Sequence, residues 1–231
     1  MGIDLNSLPP RIKKIQVRTP EGLSGHLSHD TRYRFSYASN GEQVALAMPV
    51  QYEPYNHGAL HPIFEMNLPE GFIRHQLSER LQRYTRISDM LFLAIQGDEG
   101  IGRLQYESDI IRTPTTSENL VDILSWDGQH NLFTELLERH LFNTTLSGMQ
   151  PKVSIISDKT SLIRPDLIIK TGGEDYPHLA LNEYICMTIA AAVGIATPTF
   201  WLSDNHKLFV MKRFDIQNNQ ILGMEDFAVL M

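Results

Sequence analysis

Two periodicities divide the chain. Alternation comes first: Ile15 and Val17 are interrupted by the turn residues Pro20, Glu21 and Gly22, and Leu23 to Leu27 returns as a partner strand, which predicts a β-hairpin. Tyr33, Phe35 and Tyr37 then alternate with Arg32, Arg34 and Ser36, so one face is aromatic and the other polar, as in a half-buried antiparallel strand. After a turn at Asn40 and Gly41, Val44 to Met48 reads as a further strand and residues 49–62 as a long surface connection without a period. Ile101 to Tyr106 reads as a strand returning to the first sheet.

Helical spacing takes over between and after these strands. Asn67 or Leu68 lies near a cap, Pro69 suits a first turn, and Leu77 and Leu81 fall four apart on one face. Ser88 and Asp89 cap a helix over 90–96 that Gly97 ends. Turn residues cluster from Arg112 to Ser117, which places a boundary between a module of residues 1–111 and one of residues 112–231. Ser117 is then the cap of Leu120 to Leu124, and Leu132, Phe133, Leu136, Leu137 and Leu141 form the stripe of a core-facing helix.

The second module continues with a strand at Val153 to Ile156, a turn from Ser157 to Lys159, Ser161 to Arg164, and an apolar strand from Leu167 to Lys170. A helix follows over Leu179 to Val193, stopped by Gly194 and Pro198. A hairpin then pairs Phe200 to Leu202 with Leu208 to Met211. Antiparallel strands and helices in this order make an α+β chain.

Composition narrows the classes. Of 231 residues, 42% are hydrophobic and 20% charged, a globular balance with enough chain for a real core. The net charge of −7 supplies no global field for nucleic acid, so no direct nucleic-acid contact is expected outside a local basic patch. The one cysteine, Cys186, sits in an apolar run; it forms no intrachain disulfide and is expected to be a buried, inert thiol in a reducing compartment. The N-terminus has no apolar signal-like region, and no apolar run approaches the roughly 20 residues that span a bilayer, so a cytoplasmic protein without membrane contact is expected. His57 and His61 are four apart, but Gly58 and Pro62 break any helix that would turn them into a metal pair, and His26 and His29 fare no better.

The chemistry concentrates in Thr145, Leu146, Ser147, Gly148, Met149, Gln150, Pro151 and Lys152, a loop between a helix and a strand. Backbone N–H groups of such a loop can face phosphate oxygens, and a lysine on an adjacent strand, Lys170, can neutralise them. It is neither a Walker A sequence nor a Rossmann fingerprint, and an ordinary turn is the competing reading. Glu183 either fixes the Lys170 ammonium or only favours the start of its own helix through the macrodipole. Lys212, Arg213, Phe214 and Asp215 leave the last strand where a kinase hinge meets adenine. A Lys-Arg pair stretched along the surface and a buried phenylalanine explain them equally well.

In this order the motifs resemble the HipA-like serine/threonine kinases of bacterial toxin–antitoxin systems, over nearly the whole chain. Leu68, Pro69, Glu70 and Gly71, with the helix after them and the strand pair before, match the small N-terminal module. Leu146 to Lys152, Ile168 to Lys170, Asn182 to Tyr184 and Lys212 to Asp215 match the start of the kinase core.

The resemblance implies a small α/β module followed by a β-rich kinase-like N-lobe. It implies an ATP site in which Ser147, Gly148, Met149, Gln150 and Lys152 cover the phosphates, Lys170 with Glu183 binds them, and Lys212 and Phe214 meet the adenine. It also implies phosphorylation at Thr145 or Ser147, ATP and magnesium as cofactors, a HipB-like helix-turn-helix antitoxin as partner, and a protein substrate such as an aminoacyl-tRNA synthetase. In the family the catalytic and metal-binding aspartates follow the hinge. No Asp of the 231 residues stands in a His-x-x-Asp or Asp-x-x-x-x-Asn setting, so the expectation is an N-terminal portion, truncated before the C-terminal helical lobe and inactive alone. The rival expectation is a catalytically dead interaction module that binds a helix-turn-helix antitoxin or a separate kinase half. An unrelated small-molecule-binding domain would leave the ordered motifs unexplained.

Overall fold

The computed structural model describes residues 2–114, 116–143, 150–158, 165–173, 176–218 and 220–230. A short β1 (Gly2–Ile3) precedes the alternating segment, which forms β2 (Lys14–Thr19), β3 (Gly22–His29) and β4 (Tyr33–Tyr37), followed by β5 (Tyr55–His57). Helices α1 (Pro62–Glu65), α2 (Gly71–Leu81) and α3 (Asp89–Gln96) come next, and β6 (Gln105–Glu107) closes an antiparallel sheet of order β5-β4-β3-β2-β6. Alternation decides which side is inside: Ile15, Val17, Leu27, Tyr33 and Phe35 are buried, and Met90 to Gln96 of α3 are buried as well. Ser88 Oγ accepts the Leu91 N–H at 3.2 Å and Gly97, at φ +58°, ends α3, as the sequence predicts.

Local side chains overturn several other expectations. Val44 to Met48 forms no strand: the Tyr37 hydroxyl donates to Met48 O and accepts from Val44 N–H, and the Gln43 amide donates to Ala45 O. Those backbone groups are satisfied within the turn and need no partner strand. The connection over 49–62 holds β5, an edge strand paired with β4. Helix α2 starts at Gly71, with Glu70 at the cap position, because Asn67 faces inward, donating to Ile63 O at 2.8 Å and accepting from Gln96 at 3.2 Å.

The chain continues through β7 (Arg112–Thr113), which pairs with β1, then α4 (Leu120–Leu124) and α5 (Leu132–His140). Asn119, not Ser117, caps α4, its Oδ1 accepting from Val121 N–H at 2.8 Å. Then come β8 (Lys152–Ile155), β9 (Leu167–Thr171), α6 (Leu179–Ala192), β10 (Phe200–Leu202), β11 (Leu208–Lys212), β12 (Ile216–Gln217) and β13 (Gln220–Ile221). The second large sheet has the order β10-β11-β9-β8, antiparallel throughout.

Its two faces carry different work. Val153, Ile155, Leu167, Ile169, Leu208 and Val210 join the apolar cluster that includes Phe133, Leu136 and Leu137 of α5 and runs on into the first sheet. Ile168, Phe209 and Met211 face α6, where Ala180, Tyr184 and Met187 meet them. The architecture is a mixed α/β one. Cys186 is exposed, contrary to expectation: α6 is apolar nearly all round, but the sheet covers one side of it, leaving Cys186, Ile185 and Ile189 on the uncovered side. No helix among the described residues is long and apolar enough to cross a membrane.

Candidate nucleotide-binding site

The antiparallel register of β8 and β9 sets Lys152 directly opposite Lys170 and Ser154 opposite Ile168. Side chains paired across strands share a face, so both lysines project toward α6. Glu183, one turn into that helix, forms an ion pair with the Lys170 ammonium, which lies 5.8 Å from the centre of the Phe209 ring. Lys170 and Glu183 remain partly accessible, at 19% and 23% side-chain exposure. The sequence leaves two roles open for Glu183; the helix packing turns its carboxylate onto the strand lysine.

Like charges directly opposite destabilise a sheet. Lys152 is 9% exposed, and burial first, then the Lys170 charge, push its pKa below the ordinary lysine value, with Glu183 and Glu70 acting the other way. Gln150 donates its side-chain amide to Thr171 O at 3.3 Å, beside Lys170. Two ammonium groups on one face, one of them aimed by a carboxylate, make a mount for a polyanion: an incoming phosphate relieves the repulsion between them.

Thr145, Ser147, Gly148 and Met149 lie outside the described residues, as does Ser161 to Arg164. At the other end of the sheet, Lys212 closes β11, its N–H donating to Thr199 O at 2.9 Å, and Phe214 is 45% exposed. The alternative of a surface-stretched Lys-Arg pair over a buried phenylalanine fails: Arg213 is the buried residue, at 3%, and Phe214 faces out.

Sequence reasoning missed the partners of Arg213. Its guanidinium bonds the Asp215 carboxylate and the Glu99 and Gly100 carbonyls, and its N–H donates to Asp166 O at 2.9 Å. Asp166 in turn accepts from both the N–H and the hydroxyl of Ser157, each at 2.7 Å. Glu118, bridged to Ser157, accepts from Arg139 and meets His140 Nε2 at 2.7 Å. The one signal for this was the Arg213-x-Asp215 spacing, which puts both side chains on one face of an extended chain.

His57 and His61 do approach, with ring centroids 5.4 Å apart and nearly perpendicular. Among the described residues, no three His, Cys, Asp or Glu side chains gather as metal ligands, so none is assigned to magnesium.

Two family models match the chain: the HipA N-terminal domain over residues 15–107 and the HipA-like C-terminal domain over residues 144–231. No curated protein matches it. Among solved structures it resembles a chain of the Shewanella oneidensis MR-1 toxin–antitoxin complex of HipA, HipB and operator DNA, with a TM-score of 0.57 and 19% identity, covering 90% of this chain and 53% of that one. A structure of the N-terminal domain of HipA toxin aligns over 44% of this chain and 99% of its own, with 22% identity and a TM-score of 0.30. The chain thus spans about half the length of the Shewanella chain it matches, and at that identity the likeness speaks to fold.

Proposed function

The chain belongs to the HipA-like family, and from that membership we propose that it forms the nucleotide-binding part of a serine/threonine kinase. The observation that carries the reading is the Lys170–Glu183 ion pair, set on a face that also holds Lys152. A strand lysine held by a helix carboxylate is the arrangement that kinase folds use at the ATP phosphates. Bound ATP would supply the phosphoryl group for transfer. Lys170 and Lys152 neutralise its phosphates, Glu183 keeps the Lys170 ammonium aimed, Gln150 lines the near edge, and Phe214 with the backbone at Lys212 offers a surface to the base. The loop of Ser147, Gly148 and Met149 completes the phosphate cover in this reading, and Thr145 or Ser147 is the hydroxyl at which phosphorylation regulates it.

The second sheet with α6 is read as the kinase-like N-lobe. The acceptor is a protein hydroxyl, with an aminoacyl-tRNA synthetase as the proposed substrate class, and the proposed partner is a HipB-like antitoxin, as HipA and HipB occur together in the Shewanella complex. With no His-x-x-Asp or Asp-x-x-x-x-Asn motif in its 231 residues, the chain alone transfers no phosphate. A second reading, an interaction module that engages an antitoxin or a separate kinase half, draws support from the exposed Ile185 and Ile189 on α6 and Val193 at its C-cap, spaced four apart.

Thermal unfolding separates the readings. ATP should raise the melting temperature of the chain by the mass action of native-state binding, and Lys170→Ala should remove that rise. No shift at millimolar ATP would favour the interaction module.

A further inference from the structure

Arg213, Phe214 and Asp215 alternate as an extended chain requires: the first and third are 3% and 1% exposed and the middle one is 45% exposed. What holds the two inward side chains comes from 113 to 114 positions earlier in the sequence. Arg213 Nη1 donates to Glu99 O at 2.7 Å and Nη2 to Gly100 O at 2.5 Å, while Nε and Nη2 reach the two Asp215 oxygens at 3.0 and 2.6 Å. Asp215 Oδ2 also accepts the Gly102 N–H at 2.9 Å. The segment 99–102 is the link between α3 and β6, elements of the first sheet and its helix.

We propose that Arg213 and Asp215 are positioning residues that clamp the 99–102 segment to the exit of β11, so that the N-terminal part of the chain sets where Phe214 stands. The net stability of a buried ion pair over an apolar filler is small; what this pair supplies is direction. A guanidinium in a bidentate pair has fixed orientation, and here both ends of the pair also hold backbone groups of the distant segment. Phe214, pinned on either side, has one face of the chain left to it. A displacement of α3 or of the 99–102 segment is therefore transmitted to the β11 exit without passing through the apolar core. The inference takes its ligand from the ATP reading, while its mechanical claim stands on the bonds alone.

The test perturbs the far end of the clamp. Gly102 has φ +82°, a left-handed conformation that strains any other residue, so Gly102→Ala shifts the segment without touching β11. Hydrogen exchange of this variant, compared with the unaltered chain, should accelerate both at 99–102 and at 212–215, with the β2–β4 strands unchanged. ATP affinity should fall about 5-fold or more. Arg213→Lys, which keeps the charge but loses the bidentate geometry, should produce the same paired acceleration, and the double variant should be no worse than the more severe single one. Acceleration confined to 99–102, or, where the unaltered chain binds ATP, equally tight binding by Gly102→Ala, would overturn the clamp. Paired acceleration in a chain that binds no ATP would instead remove the ATP reading and leave the clamp standing.

Discussion

Lys170 and Glu183 are both legible in the sequence as a strand lysine and a helix carboxylate whose pairing is one of two open roles for Glu183; the choice between them depends on the side of the sheet that α6 covers. Lys152 shows the same limit. Its place in the loop was readable, whereas its position opposite Lys170 follows from strand register. His140 falls in the sequence within the segment of a core-facing apolar helix, whose pattern assigns it no role. It is fully buried with its Nε2 on Glu118, and burial outweighs the nearby carboxylate, holding its pKa below the ordinary imidazole value, with Arg139 acting in the same direction.

A histidine whose pKa is depressed on folding is neutral in the native state and binds a proton more readily when unfolded. Its contribution is therefore complete above about pH 6.5 and is lost as pH falls through the depressed native value. The melting temperature should drop on acidification from about pH 7.5 to about pH 5.5, and His140→Gln should flatten that drop. His26 and His61, also lowered by burial, will leave a residual slope. An unchanged slope in His140→Gln would contradict the assignment.

Elements with a strong period and a cap were the readable ones. The hairpin of β2 and β3, the capped α3 and the stripe of α5 all lie within a few residues of their predicted places. The failures have a common physical cause in polar side chains that satisfy backbone groups locally, as Tyr37 does over the Val44–Met48 turn and Asn67 does before α2. Gly97 shows how tightly one such end is built. A Cβ there would lie 1.9 Å from Arg112 Nη2, the atom that donates to Ala94 O at 3.0 Å and Ile95 O at 2.8 Å, carbonyls near the end of α3. Gly97→Ala combines a positive φ with the displacement of that guanidinium, and urea unfolding should show a loss of about 2 kcal/mol. A loss under about 0.5 kcal/mol, the range of ordinary surface substitutions, would mean that Arg112 does not hold the helix end.

For the molecule as a whole, the order of motifs points to the family, and the two family matches fall on either side of residues 108–143. What the motifs could not convey is how the two matched regions are joined. A continuous apolar cluster runs through both sheets, and a polar chain, buried at Asp215, Arg213, Ser157 and His140 and partly buried at Asp166 and Glu118, leads from Gly102 through Asp215, Arg213, Asp166, Ser157 and Glu118 to His140, four positions ahead of Thr144. The Gly102–Asp215 bond pairs residues 113 positions apart, and Glu118 and His140 lie 22 apart, with no local pattern to announce them.

The central claim is that the face bearing Lys152, Lys170 and Glu183 binds ATP. Calorimetric titration of ATP into the chain and into Lys170→Ala tests it most directly. The account predicts saturable binding of one ATP per chain and its loss in the variant. Absence of binding to the unaltered chain at millimolar ATP, or equal binding by both, would contradict it.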